Sequence, residues 1–569
     1  MTDSPPRAPG KVVPLADAIR TFVQPGDVIL SAYNEARPNA ALMELARSFA
    51  GRPADLTLVT AGMVSVQHAL IELGIVTKVV ASFVGENYPS ARPSPAFQRA
   101  FAEGRVHIEN WSMWALIARL VAGGLGIPLM PVRSMVGSGM AEQNEHAFRV
   151  IPDPFGGPDL AAVAALRPDV TIVHALAADT EGNLILSAPY GEAQWGCLAA
   201  RRGVIATVEE VVDASVIREH NALVRVPGHL VRSVSLAPFG AHPYGIFNPG
   251  LPGIDDYVDD GAFMAEVFDA SRTPEAFSEW IREWILEVGG HDGYLERLGI
   301  ARRAALVEEA AHPPAPPQAW TGPATGVERQ VVTASRRIAD RVEASGIEAI
   351  LAGVGLSNLA SWMAVEGIRA SGGSVRLMAE IGMYGYEPQP GDPFIFSNRN
   401  LPTSTLLTDV MTTLGALVSG PATRTLGVLG AGEVDQRGNA ASTYSGGGAY
   451  IVGSGGANDI ASGADEVLLT VNHARLVEQV GYITSPGTQV RVIVSSRGVF
   501  ERDGDGDWVL RRWFAPDGET LDEAVAAMRA ASPWEFRVAP DAEPEPEPTD
   551  DELALLRSYD PARVFLRSR

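Results

Sequence analysis

The segment RLMAEIGMYG (Arg376–Gly385) places a single carboxylate between an apolar run and two glycines. Glu380 ends the run, and Gly382 and Gly385 follow it closely. Glycines permit a tight turn and let a ligand approach the backbone, whereas an unpaired acid at the end of a buried strand is costly. The pattern therefore predicts either a catalytic carboxylate or an acid that caps a turn or pairs with an arginine.

A second glycine-rich segment is VGSGGANDIASGADEV, Val452–Val467. Its small residues precede a predicted helix start, and the backbone N–H groups of such a loop can hold an anionic or oxyanionic group. No lysine follows as in a phosphate-binding loop, and the glycine spacing is not that of a dinucleotide-binding turn. A structural turn is the alternative. The candidate binding residues are Gly453, Gly455, Gly456 and Ala457.

A third motif, ASFVGENYPS (Ala81–Ser90), runs from a predicted strand into a glycine, an acid and an amide. Glu86 and Asn87 follow that glycine directly. Their side chains either orient a substrate or cap the next helix, because short polar groups at this position commonly accept hydrogen bonds from a helix start.

The elements that position these motifs follow one rhythm in both halves of the chain. Short β-branched runs alternate with Ala- and Leu-rich amphipathic stretches, which predicts an α/β fold with two open, mostly parallel sheets and flanking helices, one sheet per half. Ligands of such sheets bind beyond the carboxyl ends of the strands, where all three motifs lie. Strands are predicted at 27–33, 56–61, 78–85, 170–176, 203–212, 348–355, 374–380, 425–434, 466–472 and 490–496, and helices at 38–51, 114–126 and 358–372.

Two proline-rich segments divide the chain. The first, His312–Gly326, cannot continue a helix and predicts a linker. The second, DAEPEPEPTDDE (Asp541–Glu552), is acidic and proline-rich, which predicts disorder. The predicted organisation is therefore a first domain at 1–311, the linker at 312–326, a second domain at 327–540 and an acidic tail with a short terminal segment at 541–569.

Composition excludes several classes of protein. The 569 residues include 45 Lys and Arg against 68 Asp and Glu, and the net charge of −23 disfavours binding to nucleic acid or to an anionic membrane. The single cysteine, Cys197, excludes an intramolecular disulfide framework and indicates a cytoplasmic protein. No apolar run is long enough to span a membrane, no signal peptide begins the sequence, and the scattered histidines predict no metal site.

Together the motifs resemble the family I CoA-transferases, with the α and β parts fused in that order. LMAEIGMYG (Leu377–Gly385) matches the family phrase L-Q-S-E-N-G-L-L-G in the spacing of its acid and both glycines. SFVGEN (Ser82–Asn87) is nearly identical to a phrase of the α part, and GSGGANDI (Gly453–Ile460) resembles the G-M-G-G-A-M-D-L loop of the β part. DVILSAYNEARP (Asp27–Pro38) and AGVGLSNLA (Ala352–Ala360) resemble the opening motifs of the two parts.

The resemblance implies covalent, ping-pong catalysis. Glu380 would attack an acyl-CoA thioester, form a mixed anhydride and then a glutamyl-CoA thioester, and pass CoA to a second carboxylic acid. The Gly453–Ala457 loop would contact the thioester or the CoA arm, and Gly382 would line the same site. CoA would be a substrate, with no tightly bound cofactor, and two fused chains would pair as a homodimer.

Departures from the family keep two other functions open. Ala379 and Ile381 replace the family's Ser and Asn beside the acid, and Met113 stands where one branch has an oxyanion-binding Gln. Glu109 is then a candidate base, which admits hydrolysis of a CoA thioester, including ring opening. A non-catalytic CoA-ester binder is the third possibility, because fold alone does not guarantee activity. The predicted acyl pocket comprises Glu86, Asn87, Trp111, Met113 and Tyr384.

Overall fold

The computed structural model describes residues 10–157, 159–445, 447–504, 506–515 and 518–567. Within these ranges, no helix is both long and apolar enough to cross a bilayer. The first half begins with α1 (Leu15–Phe22), β1 (Val28–Ser31), α2 (Asn39–Phe49), β2 (Leu56–Val64), α3 (Ala69–Glu72), β3 (Val76–Gly85), α4 (Pro95–Ala102), β4 (His107–Asn110), α5 (Met113–Leu125), β5 (Leu129–Val132), α6 (Gly139–Gln143), β6 (Phe148–Ile151) and β7 (Leu160–Ala164).

The first half continues with a second group of parallel strands and a run of helices. These elements are β8 (Val170–Ala178), β9 (Leu184–Ile185), α7 (Ala193–Ala199), β10 (Val204–Val211), α8 (Ala214–Glu219), β11 (Val224–Val226), β12 (Val231–Leu236), α9 (Gly261–Ala270), α10 (Pro274–Ile281), a π-helical turn (Arg282–Leu286), α11 (His291–Leu298) and α12 (Ile300–Ala311).

The second half opens on a long capped helix and ends on another helix. Its elements are α13 (Gly326–Ser345), β13 (Ala349–Ala352), α14 (Leu356–Ala370), β14 (Arg376–Ala379), β15 (Met383–Tyr384), β16 (Leu406–Leu407), a π-helix (Met411–Val418), β17 (Thr425–Gly430), β18 (Glu433–Val434), β19 (Ala440–Ala441), α15 (Ala457–Gly463), β20 (Glu466–Val471), β21 (Val490–Ser495), β22 (Gly498–Arg502), β23 (Trp508–Trp513), α16 (Leu521–Ala531), β24 (Arg537–Pro544) and α17 (Asp550–Tyr559).

Each half is built on one large sheet. In the first, β12, β10, β8, β1, β2, β3 and β4 run parallel in that order, and β9 and β11 add antiparallel pairs. In the second, β14, β13, β17, β20 and β21 run parallel, with antiparallel strands at both ends and β24 parallel to β23. All nine residues of β8 are buried, as expected for a central parallel strand covered on both faces.

The predicted α/β architecture with one mostly parallel sheet per half is confirmed, as are all ten predicted strands and the three predicted helices. The linker prediction coincides with an irregular, largely exposed stretch between α12 and α13. The domain boundaries themselves stay a prediction.

The prediction of disorder at 541–552 is wrong. The segment completes β24, which pairs with β23, and then enters α17. Its acids contact α13: Arg336 bonds Glu545 at 2.9 Å and Glu552 at 2.7 Å. Behind them, the buried Arg557 of α17 pairs with Glu328 at 2.6 Å. Ion pairs and backbone pairing therefore replace the apolar burial that the composition lacks.

Candidate active site

Glu380 is the first residue after β14, and its backbone turns sharply there. Gly382 adopts φ +123°, and a Cβ at this position would overlap the carbonyl oxygen of Thr408. The turn therefore requires glycine. The hydroxyl of Thr413, on the π-helix, donates to the Glu380 carbonyl at 2.7 Å and holds the turn from behind. The Glu380 side chain stays partly exposed at the end of the sheet.

The glycine loop that precedes α15 is joined by its backbone to β3 of the first half. The N–H of Val84 donates to the carbonyl of Val452, and that of Gly455 to the carbonyl of Ser82, both at 2.9 Å. Gly453 pairs antiparallel with Phe83 and has φ +93°. Two motifs that lie far apart in sequence, S-F-V-G-E-N and G-S-G-G-A-N-D-I, thus form one piece of structure.

The glycine loop also contacts the carboxylate of Glu380. The backbone N–H of Gly456 donates to Glu380 Oε2 at 3.1 Å, and a Cβ at Gly456 would overlap that oxygen. The neighbouring N–H groups are occupied elsewhere, since that of Gly455 bonds Ser82 and that of Ala457 bonds the Ser454 carbonyl at 3.0 Å. The loop therefore supports the acid directly, and only Gly456 offers it a backbone donor from this loop.

Burial and a neighbouring acid raise the pKa of Glu380 to about 7. Desolvation is the largest cause, the charge of Asp459 adds to it, and the hydrogen bond from Gly456 opposes both. Asp459 is itself fully buried at the start of α15, where it accepts from the Ser112 hydroxyl at 2.6 Å and the Trp114 N–H at 2.9 Å. Burial raises the pKa of Asp459 to about 6. The two carboxylates therefore titrate as a coupled pair.

Asp459→Asn should move the acidic limb of the pH–rate profile to lower pH. Glu380 has to be ionised to act as a nucleophile, so the wild-type kcat/KM should fall about tenfold per pH unit below pH 7. Removing the Asp459 charge takes away one cause of the raised pKa. The measurement is kcat/KM between pH 5 and 8. Asp465→Asn, an exposed change just beyond the same helix, should leave the midpoint in place; an unmoved midpoint in Asp459→Asn would refute the coupling.

The side chains of Glu86 and Asn87 bond within the first half and not to Glu380. Glu86 is buried, its Oε1 lies 3.5 Å from the Nε2 of His68, and burial raises its pKa to about 7. Asn87 accepts a hydrogen bond from the Tyr244 hydroxyl at 2.9 Å. Neither side chain caps a helix, so their predicted role in substrate binding stays a prediction.

The structure does not bring Glu109 together with Glu380. Its carboxylate bonds Lys78 at 2.7 Å and Arg119 at 3.2 Å, at the edge of the first sheet. Although burial acts to raise the pKa of Glu109, hydrogen bonds from Lys78 and Trp111 outweigh it and lower that pKa. A carboxylate held in this ion-pair network is a poor general base, and its contacts are structural.

Two aromatic predictions have different outcomes. The assignment of Trp111 to the acyl pocket is wrong: its side chain has no exposed surface, and its Nε1 donates to Glu109 at 2.8 Å under the stacked guanidinium of Arg119. Tyr384 lies partly exposed on β15, one strand from Glu380, where it can still face a ligand. Met113 is buried, and its N–H, not its side chain, contacts the glycine loop by donating to the Gly455 carbonyl at 3.0 Å.

Sequence reasoning missed Glu192, a fully buried acid beside the nucleophile. Its Oε1 accepts from the backbone N–H groups of Tyr33, at 3.0 Å, and Ala61, at 3.3 Å. The preceding Gly191 donates to the carbonyl of Ile381, the residue after Glu380, at 3.2 Å. Burial raises the pKa of Glu192 to about 8. The only available signal was the phrase P-Y-G-E, an acid after a glycine turn, which did not stand out without the tertiary context.

The fold and the site together define a two-part α/β enzyme in which a strand-end carboxylate of one half meets a loop bound to the other half. The family model described as coenzyme A transferase matches residues 12–237. One of the two chains of glutaconate CoA-transferase from Acidaminococcus fermentans is 30% identical over 316 residues, which cover 51% of this chain and 93% of the relative. The chain therefore belongs to the coenzyme A transferase family.

Two further comparisons extend this result. The corresponding chain of 3-oxoadipate CoA-transferase from Pseudomonas knackmussii is 32% identical over 279 residues, covering 48% of this chain and 93% of the relative. An acyl-CoA transferase from E. coli O157:H7, solved as a thioester complex with CoA, aligns over 97% of both chains with a TM-score of 0.66 and 14% identity. At that identity the likeness supports the fold alone, but it spans both halves. The resemblance inferred from the motifs is confirmed, and the chain is a CoA-transferase.

Proposed function

We propose that Glu380 is the nucleophile of this CoA-transferase and that the reaction passes through a glutamyl-CoA thioester. The observation that carries the proposal is the 3.1 Å hydrogen bond from the Gly456 N–H to Glu380 Oε2, on a carboxylate that burial partly desolvates. A poorly solvated carboxylate is a stronger nucleophile than one in water, and a single backbone donor orients it without neutralising it.

The proposed chemistry balances in four steps. A Glu380 oxygen attacks the thioester carbonyl, the C–S bond breaks, and CoA thiolate leaves a mixed anhydride. The thiolate then attacks the glutamyl carbonyl of that anhydride, which releases the donor acid as a carboxylate and forms the glutamyl-CoA thioester. The acceptor carboxylate attacks this thioester and expels the thiolate, which finally attacks the acyl carbonyl of the second anhydride, forming the new acyl-CoA and restoring Glu380.

The substrates proposed are an acyl-CoA and a carboxylic acid, and the chemistry needs no cofactor besides CoA itself. The relatives' names refer to glutaconate and 3-oxoadipate, which supports a small organic acid as the acyl group. We also propose a homodimer of fused chains, from the pairing of α and β parts in the family, and a cytoplasmic location, from the single buried cysteine.

Trapping the thioester tests the covalent route. Borohydride added during turnover should reduce the glutamyl thioester to a primary alcohol, so that the peptide containing Glu380 changes mass. Mass spectrometry of a digest checks this, with enzyme lacking acyl-CoA as the control. An unmodified Glu380 peptide during rapid turnover would refute the covalent intermediate. Acyl-CoA consumption that does not depend on an added acid would instead favour the thioester hydrolase.

A further inference from the structure

Arg37, just after β1, is a buried arginine without an ionic partner. Its side chain is 4% exposed. Among the described residues it forms no salt bridge, and its Nη1 has no hydrogen-bond partner. Arginine is rarely buried unless it is paired, and a buried polar atom without a partner requires an explanation. The donors of this guanidinium are therefore available to a ligand.

Two tyrosine rings orient the Arg37 guanidinium. Its central carbon lies 4.1 Å from the ring centroid of Tyr33 and 4.0 Å from that of Tyr244. Two rings at these distances have to occupy opposite faces of the planar group, so the N–H bonds around its edge point between them. Such stacking stabilises the cation, and the exposed edge is the geometry that binds a carboxylate through two parallel hydrogen bonds.

Three acids surround Arg37 without reaching salt-bridge distance. They are Glu35, Glu192 and Asp259, each of which experiences the charge of Arg37. Burial raises the pKa of Glu35 well above its usual value and that of Glu192 to about 8, so both are largely uncharged at neutral pH. Asp259 is committed to the backbone N–H of Gly245 at 2.7 Å. A bound carboxylate would therefore meet one guanidinium and two mainly neutral acids.

The same group of residues, which we call the Arg37 cluster (Asn34, Arg37, Glu192), contains further unpartnered atoms. Asn34 Oδ1 and Glu192 Oε2 are buried and have no hydrogen-bond partner among the described residues, although the other polar atom of each side chain is bonded. Three orphaned polar atoms on neighbouring elements are difficult to explain by packing, because each costs free energy unless something bonds to it.

The Arg37 cluster adjoins the nucleophile. Glu192 follows Gly191, and the Gly191 N–H bonds the carbonyl of Ile381, the residue after Glu380. On the other side, Tyr244, which stacks on Arg37, donates to Asn87 of the S-F-V-G-E-N motif. The cluster thus lies between the carboxylate that is proposed to take up CoA and the first-half motif that supports the glycine loop.

We propose that Arg37 binds a second carboxylate of the acyl group, remote from the thioester, so that this enzyme acts on dicarboxylic acids and their mono-CoA esters. Glu192 and Asn34 bond the same group or the chain beside it. The inference rests on the proposed function, since it assigns the substrate class of that same site.

Arg37→Met should separate two acyl-CoAs that differ by one carboxylate. With glutaryl-CoA, kcat/KM should fall about 100-fold, because a desolvated charge pair is lost, whereas with butyryl-CoA it should change less than about threefold. Arg37→Lys keeps the charge without the two-pronged geometry and should recover part of the loss. Arg563→Met, which removes another guanidinium stacked on an aromatic ring, should change neither value. Equal losses with both substrates would show a structural role and overturn the proposal.

Binding of free glutarate distinguishes failure of this inference from failure of the proposed function. Calorimetric titration should show glutarate binding to the wild type and to Glu380→Gln, and about 100-fold weaker binding to Arg37→Met and less weakened binding to Arg37→Lys. Binding that depends on Arg37, with no covalent intermediate, would refute the proposed function alone. Trapped glutamyl thioester with no preference for glutaryl-CoA over butyryl-CoA would refute the role of Arg37 alone.

Discussion

Replacing Glu380 by glutamine is expected to lower the exchange of label between an acyl-CoA and its free acid by about four orders of magnitude or more. The amide keeps the size of the side chain but cannot form the anhydride or the thioester. The backbone N–H of Gly456, which donates to Oε2, can donate to the amide oxygen instead, so the loop should keep its position. The measurement is isotope exchange at saturating substrate.

The matched control is Glu387→Gln, an exposed acid on the same turn-rich segment that pairs with Arg369 at 3.4 Å. It should leave the exchange rate unchanged. Because the pKa of Glu380 is raised from 4.5 to about 7 in the folded state, its ionisation lowers stability as pH rises through that window. Glu380→Gln should therefore have a higher Tm than the wild type at pH 8 and not at pH 4. Exchange within tenfold of the wild type would refute the nucleophile assignment.

A single methyl group at Gly456 should have the next largest effect. The added Cβ of Gly456→Ala would overlap Glu380 Oε2, so either the carboxylate or the loop has to move. Displacements of about 1 Å at a reacting group cost about 100-fold in rate. We expect kcat to fall by about that factor, while the Tm changes little, because one side of the position faces the cleft.

Gly447→Ala is the control for the glycine loop. Gly447 is exposed on the preceding turn, and the nearest atom to its added Cβ would be the Ser445 hydroxyl at 3.9 Å, an ordinary contact. Its kcat should match the wild type. If Gly456→Ala also kept full kcat, the contact between the loop and Glu380 would have no catalytic importance, and the loop would be a structural turn only.

Local pattern was sufficient for the elements and for the nucleophile. Buried parallel strands are β-branched and apolar throughout, so their runs stand out in the sequence. Glu380 interrupts such a run directly before two glycines, and the structure shows why Gly382 at least is required, at φ +123°. The meeting of β3 with the glycine loop could be expected only from the family resemblance, because no local signal joins Phe83 to Gly453.

Tertiary context decided what the sequence could not. An aromatic side chain at a strand end either packs in a core or lines a pocket, and neighbouring charges placed Trp111 in the core beside Glu109. Arg37 and Glu192 lie in unremarkable phrases, since an unpaired arginine cannot be recognised until every possible partner has been located. The acidic tail misled because composition counts apolar residues and does not see that Arg336 will receive Glu545 and Glu552.

The backbone pairing between β3 and the glycine loop also limits how the enzyme can move. Swinging the halves apart would break the hydrogen bonds of Val84 and Gly455 and detach the donor that orients Glu380. Hinge opening would thus dismantle the catalytic geometry at every turnover. Substrate exchange should instead proceed through local gating at the rim, with the two halves remaining a single rigid frame throughout the cycle.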